Sequence, residues 1–354
     1  MEVDEDHADR ISRLFGRGLD WDRLVLLARR HGLVPLLHRT LSGLKSNGVP
    51  PDVRQRLRSL AEGVRFHGLV LLRELLNALR ALESAGITAV PYKGPALAAF
   101  LYRDLALRQF SDIDLLVRPR DAVKARRVLL DLGYVPRRPM SERAAAAYAR
   151  LHCDFTFTAD GQLNVDLTWW IAPRYWRLPE IPRSSWDRLG RLSLGGVSVP
   201  WLAPRDLLFV LCIHGCKHKW DTLKWIVDIA EWLRNHPDFD WREAMHDARQ
   251  AGYERMLALS VFLAHELLEA PLPAAVLEAV RSKPRVADLA AEVCENLFAA
   301  YSEPASTLVQ LPFLARLAER FDTKLSCQLL RPLYFLLHRV ARPGMAALRK
   351  VAAG

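Results

Sequence analysis

Two aspartates separated by a single isoleucine open an otherwise apolar run, 109-QFSDIDLLVRP-119. Side chains alternate faces along a strand, so Asp112 and Asp114 project together while Ile113, Leu115 and Val117 face the other way. Neighbouring carboxylates repel each other, and a fold holds such a pair readily only with a cation beside it. A third acid, Asp166, lies in 163-LNVDLTW-169, where Val165 and Leu167 take the opposite face. Carboxylates gathered from two strands suit Mg²⁺, which takes hard oxygen ligands and leaves positions for phosphate and water. Upstream, Lys93-Gly94 ends a β-like run where a helix begins. Such a helix start offers free amides to phosphate oxygens, and glycine lets the backbone come close. A plainer reading makes Asp112 a turn cap and pairs Asp114 with Arg108 or Arg118.

The elements that must position these residues follow from hydrophobic periodicity. Residues 20–86 show helical spacing, closed by Gly86 as a C-terminal stop. The stretch 87–93 is β-like, GPALAAFLY is a brief helix, and 112–117 is the next strand. An amphipathic helix follows within 118–134, then a helical SERAAAAYAR. Segments 152–158 and 163–169 form a strand pair joined by ADGQ, whose Asp-Gly step favours a hairpin. Helices dominate again from about residue 203. The expected architecture is α+β: an N-terminal helical region (1–86), a small mixed-sheet core (87–200) and a C-terminal helical domain (201–354).

These residues resemble the nucleotidyltransferase superfamily with its polymerase β-like fold. More closely, the chain looks like a bacterial family of uncharacterised nucleotidyltransferases. The motifs that carry the likeness occur in order between about residues 60 and 235: 93-KGPAL-97, Arg108, 112-DIDLLV-117, 165-VDLTW-169 and 214-HGCKHKWDTLKWIVDIA-230. The resemblance implies that Asp112, Asp114 and Asp166 hold one or two Mg²⁺ (or Mn²⁺) ions and that Asp166 helps deprotonate the acceptor. It implies transfer of an NMP, AMP by default, from an NTP to a hydroxyl or phosphate, with release of pyrophosphate. Lys93, Gly94, Arg108 and Ser111 would meet the nucleotide. His214, Lys217, His218, Lys224 and Asp228 would wall the substrate pocket. The acceptor is open among a small molecule, a modified peptide, a protein and tRNA. Three departures stand out: Pro95 replaces the superfamily serine, the gap from Gly94 to Asp112 is longer than the superfamily norm, and Thr168 stands where the closer family often has histidine.

Two other function classes compete. One is an inactive nucleotide- or partner-binding protein on the same fold, which the missing serine favours and the three retained acids disfavour. The other is a nucleic-acid-binding module, suggested by the net charge of +10. Its arginines are spread along the chain, however, with no basic block carrying interleaved aromatics. The 354 residues, 51% hydrophobic, are ample for a buried core. The acidic start MEVDEDHADR and the lack of a membrane-length apolar run point to a cytoplasmic protein. Five scattered cysteines do not read as a disulfide framework. In 212-CIHGCKH-218, Cys212/Cys216 and His214/His218 fall on different helix faces, which argues against zinc. The tail 328–354, apolar with spaced arginines, caps the helices or lies on a membrane surface. Trp169, Trp170, Trp225, Ile226 and Ile229 read most simply as core, and Lys224/Asp228 as an i,i+4 ion pair.

Overall fold

The computed structural model of the chain describes residues 5–15, 18–44, 48–159, 163–172, 183–298 and 311–319. Four helices lead in: α1 (Glu5–Phe15), α2 (Trp21–Arg30), α3 (Val34–Gly43) and α4 (Pro51–Ser84). Asp20 caps α2 by accepting the Arg23 amide at 2.9 Å. Pro35 and Pro51 sit in first turns, where a missing amide loses no helical bond. Val25, Ala28, Leu41, Val53 and Leu57 close one apolar cluster. The second half of α4 leaves that cluster and buries Leu71, Leu75 and Leu82 in a larger core. The helix stops as its sequence requires. Gly86 takes φ +71°, its amide reaches the Glu83 carbonyl at 2.8 Å, and the Ile87 amide reaches the Leu82 carbonyl at 2.9 Å.

A mixed five-stranded sheet follows, formed by β1 (Ala89–Pro91), β2 (Asp112–Val117), β3 (Val135–Pro136), β4 (Asp154–Ala159) and β5 (Leu163–Thr168) in the order β1-β2-β5-β4-β3. Only the β2–β5 pair is parallel. Its register sets Ile113 beside Val165 and Leu115 beside Leu167, all fully buried on one face. Burying each such side chain contributes about 1.5–3 kcal/mol, so a one-residue slip would be strongly disfavoured. The same register sets Asp114 beside Asp166 and Asp112 beside Asn164 on the other face. The packing of the greasy face therefore fixes the acids.

Between β1 and β2 lie the short α5 (Gly94–Leu97) and a π-helical turn over 98–102. Helices α6 (Ala122–Asp131) and α7 (Glu142–Leu151) connect β2 to β4, with Ser141 capping α7. After α8 (Arg183–Asp187), residues 190–201, which the hydrophobic periodicity assigns to no element, form a hairpin of β6 (Gly190–Leu194) and β7 (Val197–Trp201). Its Gly195-Gly196 turn has φ +57° and +80°, the conformation a two-residue hairpin loop needs. The remaining helices are α9 (Pro204–Lys217), α10 (Leu223–Asn235), α11 (Trp241–Ala251), α12 (Glu254–Leu268), α13 (Ala274–Arg281), α14 (Val286–Phe298) and α15 (Leu311–Leu317). They share the larger core with the sheet. The molecule is thus α+β, with helices flanking a small mixed sheet. Among the described residues, no helix is long and apolar enough to cross a membrane. Cys153, Cys212, Cys216 and Cys294 are free thiols. The 328–354 tail, Cys327 and the Asp160–Gln162 turn lie outside the described residues.

Candidate active site

The parallel pairing of β2 and β5 brings oxygens of Asp112, Asp114 and Asp166 all within 4.8 Å of one another. The cation that answers this repulsion is a lysine. Lys93, arriving from the end of β1, places Nζ 2.7 Å from Asp114 Oδ1 and 3.5 Å from His214 Nδ1. Arg108 and Lys224 act on Asp112 from further off, but among the described residues Lys93 is the one ion-pair partner of the three acids, and it does not neutralise them all. Burial, opposed by Lys93 and reinforced by Asp112, holds the Asp114 carboxyl above its ordinary pKa. Asp166 is also raised, by burial first and then by Asp114. Asp166 Oδ1 is buried with no hydrogen-bond partner. An all-oxygen donor set, a charge surplus and an orphaned acceptor together fit a hard divalent cation such as Mg²⁺ or Mn²⁺.

Gly94 holds the Lys93 turn against the start of β2. Its φ is +55°, and a Cβ there would lie 2.9 Å from the Asp112 carbonyl oxygen. A left-handed backbone and a backbone clash combine, so Gly94→Ala should destabilise the fold by about 1–3 kcal/mol. Urea denaturation of the variant checks this. Pro95 follows within α5 and is buried.

The opposite wall comes from the α9–α10 turn, and the sequence explains its shape. At Gly215 a Cβ would collide with the Trp220 ring at 2.4 Å, so only glycine lets the fully buried Trp220 fold back across α9. The Trp220 amide then bonds the Gly215 carbonyl at 2.9 Å. This reversal brings Trp225 against both histidines, 4.9 Å from the His214 ring and 5.1 Å from His218. Trp225 is half-buried, packed against the core as expected and also forming a wall of the site. Trp170, though buried, also lines it, whereas Ile226 and Ile229 are core as expected. Cys212 and Cys216 turn into the core, and among the described residues no cysteine joins a metal-binding cluster.

The cavity so enclosed has a volume of about 330 Å³. It is lined by Lys93, Gly94, Arg108, Ser111, Asp112, Asp114, Asp166, His214, Lys217, His218 and Lys224. Of the residues expected to hold the metal, meet the nucleotide or wall the pocket, Asp228 alone does not line it. Asp228 is buried behind Arg108 and accepts its Nε and Nη2, each at 2.8 Å, as well as the Tyr102 hydroxyl at 2.9 Å. The expected Lys224–Asp228 pair is thus replaced by Arg108–Asp228, and Arg108 is no surface charge. Lys224 donates instead to the Gln109 carbonyl at 3.3 Å. Burial, with Arg108 next, pushes its pKa down to about 8. Ser111 is exposed at the rim.

Sequence reasoning missed Asp154 and Tyr92, both of which line the cavity. Asp154 pairs with Thr168 across β4–β5, and Thr168 accepts the Tyr92 hydroxyl at 3.3 Å. The alternation of Asp154 and Thr156 with Phe155 and Phe157 was the available signal for this polar face.

Both wall histidines are neutral near pH 7. His214 is lowered well below its ordinary value by burial and then by Lys93. His218 falls to about 3 through burial and then Lys217. A folded pKa below the unfolded one means stability is full above about 6.5 and is lost as pH falls toward 3. His218→Gln should therefore flatten the decline of the thermal midpoint between those limits. Parallel melting curves of variant and parent across that range would exclude His218 as a cause.

The profile of a family described as uncharacterised nucleotidyltransferase matches residues 17–269. Among solved structures, a match is found to an antigenic nucleotidyltransferase-like protein from Paracoccidioides brasiliensis, at 13% identity and a TM-score of 0.33. The match covers 61% of this chain and 92% of that one. No curated protein matches the sequence.

Proposed function

The chain belongs to the uncharacterised nucleotidyltransferase family, and from that premise we propose that it transfers a nucleoside monophosphate, by default AMP, from an NTP to a hydroxyl or phosphate of an acceptor. The observation that carries the reading is the convergence of Asp112, Asp114 and Asp166, with an unpaired Asp166 oxygen, at the base of a cavity walled by lysines. These three acids would hold the divalent cation. When bound, it neutralises phosphate charge and stabilises the attacking and leaving oxygens of an in-line displacement.

The chain's own residues supply the rest. Lys93, Lys217 and Lys224 present positive charge to the triphosphate from two sides of the cavity. Gly94 lets the Lys93 turn lie close against the start of β2. Asp166, a stronger base for being buried, takes the proton of the acceptor hydroxyl. The acceptor oxygen bonds to the α-phosphorus, the bond from that phosphorus to the α–β bridging oxygen breaks, and pyrophosphate departs. Pro95 brings no hydroxyl to the phosphates, so Lys93 takes that contact as a point charge.

The test is incubation of the purified chain with each α-labelled NTP, Mg²⁺ or Mn²⁺, and a cell lysate. Label should move to an acceptor with the parent protein and not with an Asp112→Asn/Asp114→Asn double variant. Equal labelling by both proteins, or none by either, would sink the proposal.

A further inference from the structure

A second and larger depression, of about 1060 Å³, adjoins the carboxylate cavity. Phe110 and Ser111, the residues just before Asp112, line both. One wall is α2 and the other is the middle of α4, and Phe298, the last residue of α14, also lines it. We propose that this groove is the acceptor site and that it takes a segment of acidic polypeptide carrying apolar side chains. This inference rests on the transfer reaction assigned to the neighbouring carboxylates.

Three observations select that occupant. The first is charge: Arg23, Arg29, Arg30 and His67 border the groove, and none of its described lining residues is acidic. The second is an unusually greasy wall for an anion site. Leu26 is 63% exposed and Phe298 53%, and Leu60 and Val64 line the groove beside them. A nucleic-acid backbone offers nothing to leucine, whereas a peptide with alternating acidic and apolar residues meets both features.

The third observation is Gly63. It lies in the interior of the 34-residue α4, where glycine costs about 1 kcal/mol relative to alanine. Gly68 in the same helix is explained by packing, since a Cβ there would press on the Phe110 ring at 3.2 Å. Gly63 has no such reason: a Cβ would meet nothing within 4 Å. Its bare backbone faces the groove and allows an occupant to approach α4 closely.

The test is fluorescence anisotropy on the full chain without nucleotide. The probe is a fluorescein-labelled synthetic peptide alternating Glu with Leu and Phe around a central Ser. The same peptide with Lys for Glu and an oligothymidylate serve as competitors for the assignment. Gly63→Leu fills empty space with a good helix former, and Arg23→Glu/Arg29→Glu reverses the rim. Each variant should weaken the acidic peptide by about tenfold or more, and Mn²⁺-dependent ATP binding should stay unchanged. No binding of the acidic peptide, equal binding of its lysine form, tighter binding of the oligothymidylate, or indifference to Gly63→Leu would each overturn the groove assignment. Because no nucleotide is needed, such a failure leaves the transfer reaction standing. A failed label transfer with intact peptide binding would instead indict the reaction.

Discussion

Asp166→Asn is expected to raise the thermal midpoint of the metal-free protein and, in the same molecule, to lower nucleotidyl transfer by on the order of 10³-fold. The two effects have one cause. Without a divalent ion, Asp112, Asp114 and Asp166 crowd within 4.8 Å, and Lys93 neutralises only part of their charge. Asp166 is poorly compensated: its buried Oδ1 has no partner, burial holds its pKa above the ordinary value despite a side-chain hydrogen bond with Thr156, and the Lys93 ion pair belongs to Asp114. Removing its charge relieves repulsion and gives Asp114 an amide donor. The same change deletes an oxygen ligand and the proton acceptor. Asp114→Asn would be less informative, since it strands the half-buried Lys93 ammonium. Melting curves with and without Mg²⁺, beside the label-transfer assay, separate the outcomes. If the variant is no more stable than the parent without metal, the charge-surplus account fails. If added Mg²⁺ still stabilises it as much as the parent, Asp166 is no ligand.

How far this site could be read from sequence depends on how local each signal is. Asp112 and Asp114 were legible because two acids in an apolar strand are anomalous within a few residues. Gly86 and Gly94 were legible for the same reason, each being a local backbone constraint. The β6–β7 hairpin was present in Leu192, Leu194, Val197 and Val199 around Gly-Gly, but no chemistry drew attention to it. What sequence could not supply was partner choice across the fold. The i,i+4 rule pairs Lys224 with Asp228. Tertiary burial instead selects Arg108, 120 residues away, whose planar fork matches both carboxylate oxygens. Likewise, Trp225 reads as core by composition. It becomes a wall only because Gly215 admits Trp220 and so turns α10 back toward the histidines. The N-terminal helices behave similarly. The Leu223 amide donates to His31 Nδ1 at 3.3 Å, and Gly32 packs on the Lys224 stem, so α2 and α3 brace the start of α10.

The Arg108–Asp228 pair carries the second large effect. Arg108→Ala should cost about 3–5 kcal/mol of stability, since it leaves the Asp228 carboxylate buried without its bidentate partner. Asp228 is 1% exposed and retains only the Tyr102 hydroxyl in that variant. Arg108→Lys should also lose much of the interaction, because an ammonium cannot bridge both oxygens. A double variant, Arg108→Met/Asp228→Asn, removes both charges and keeps an acceptor for Tyr102. It should recover most of the loss in urea denaturation. A cost below about 1 kcal/mol for Arg108→Ala would mean that the pair behaves like a surface bridge. The double variant also decides between two roles for this arginine. Arg108 ties the loop before β2 to α10, which carries Lys224 and Trp225, and it lines the cavity as well. If the stable double variant binds ATP as the parent does, the guanidinium only positions α10. If it folds normally yet binds ATP more weakly, Arg108 meets the phosphates itself while Asp228 holds it in place.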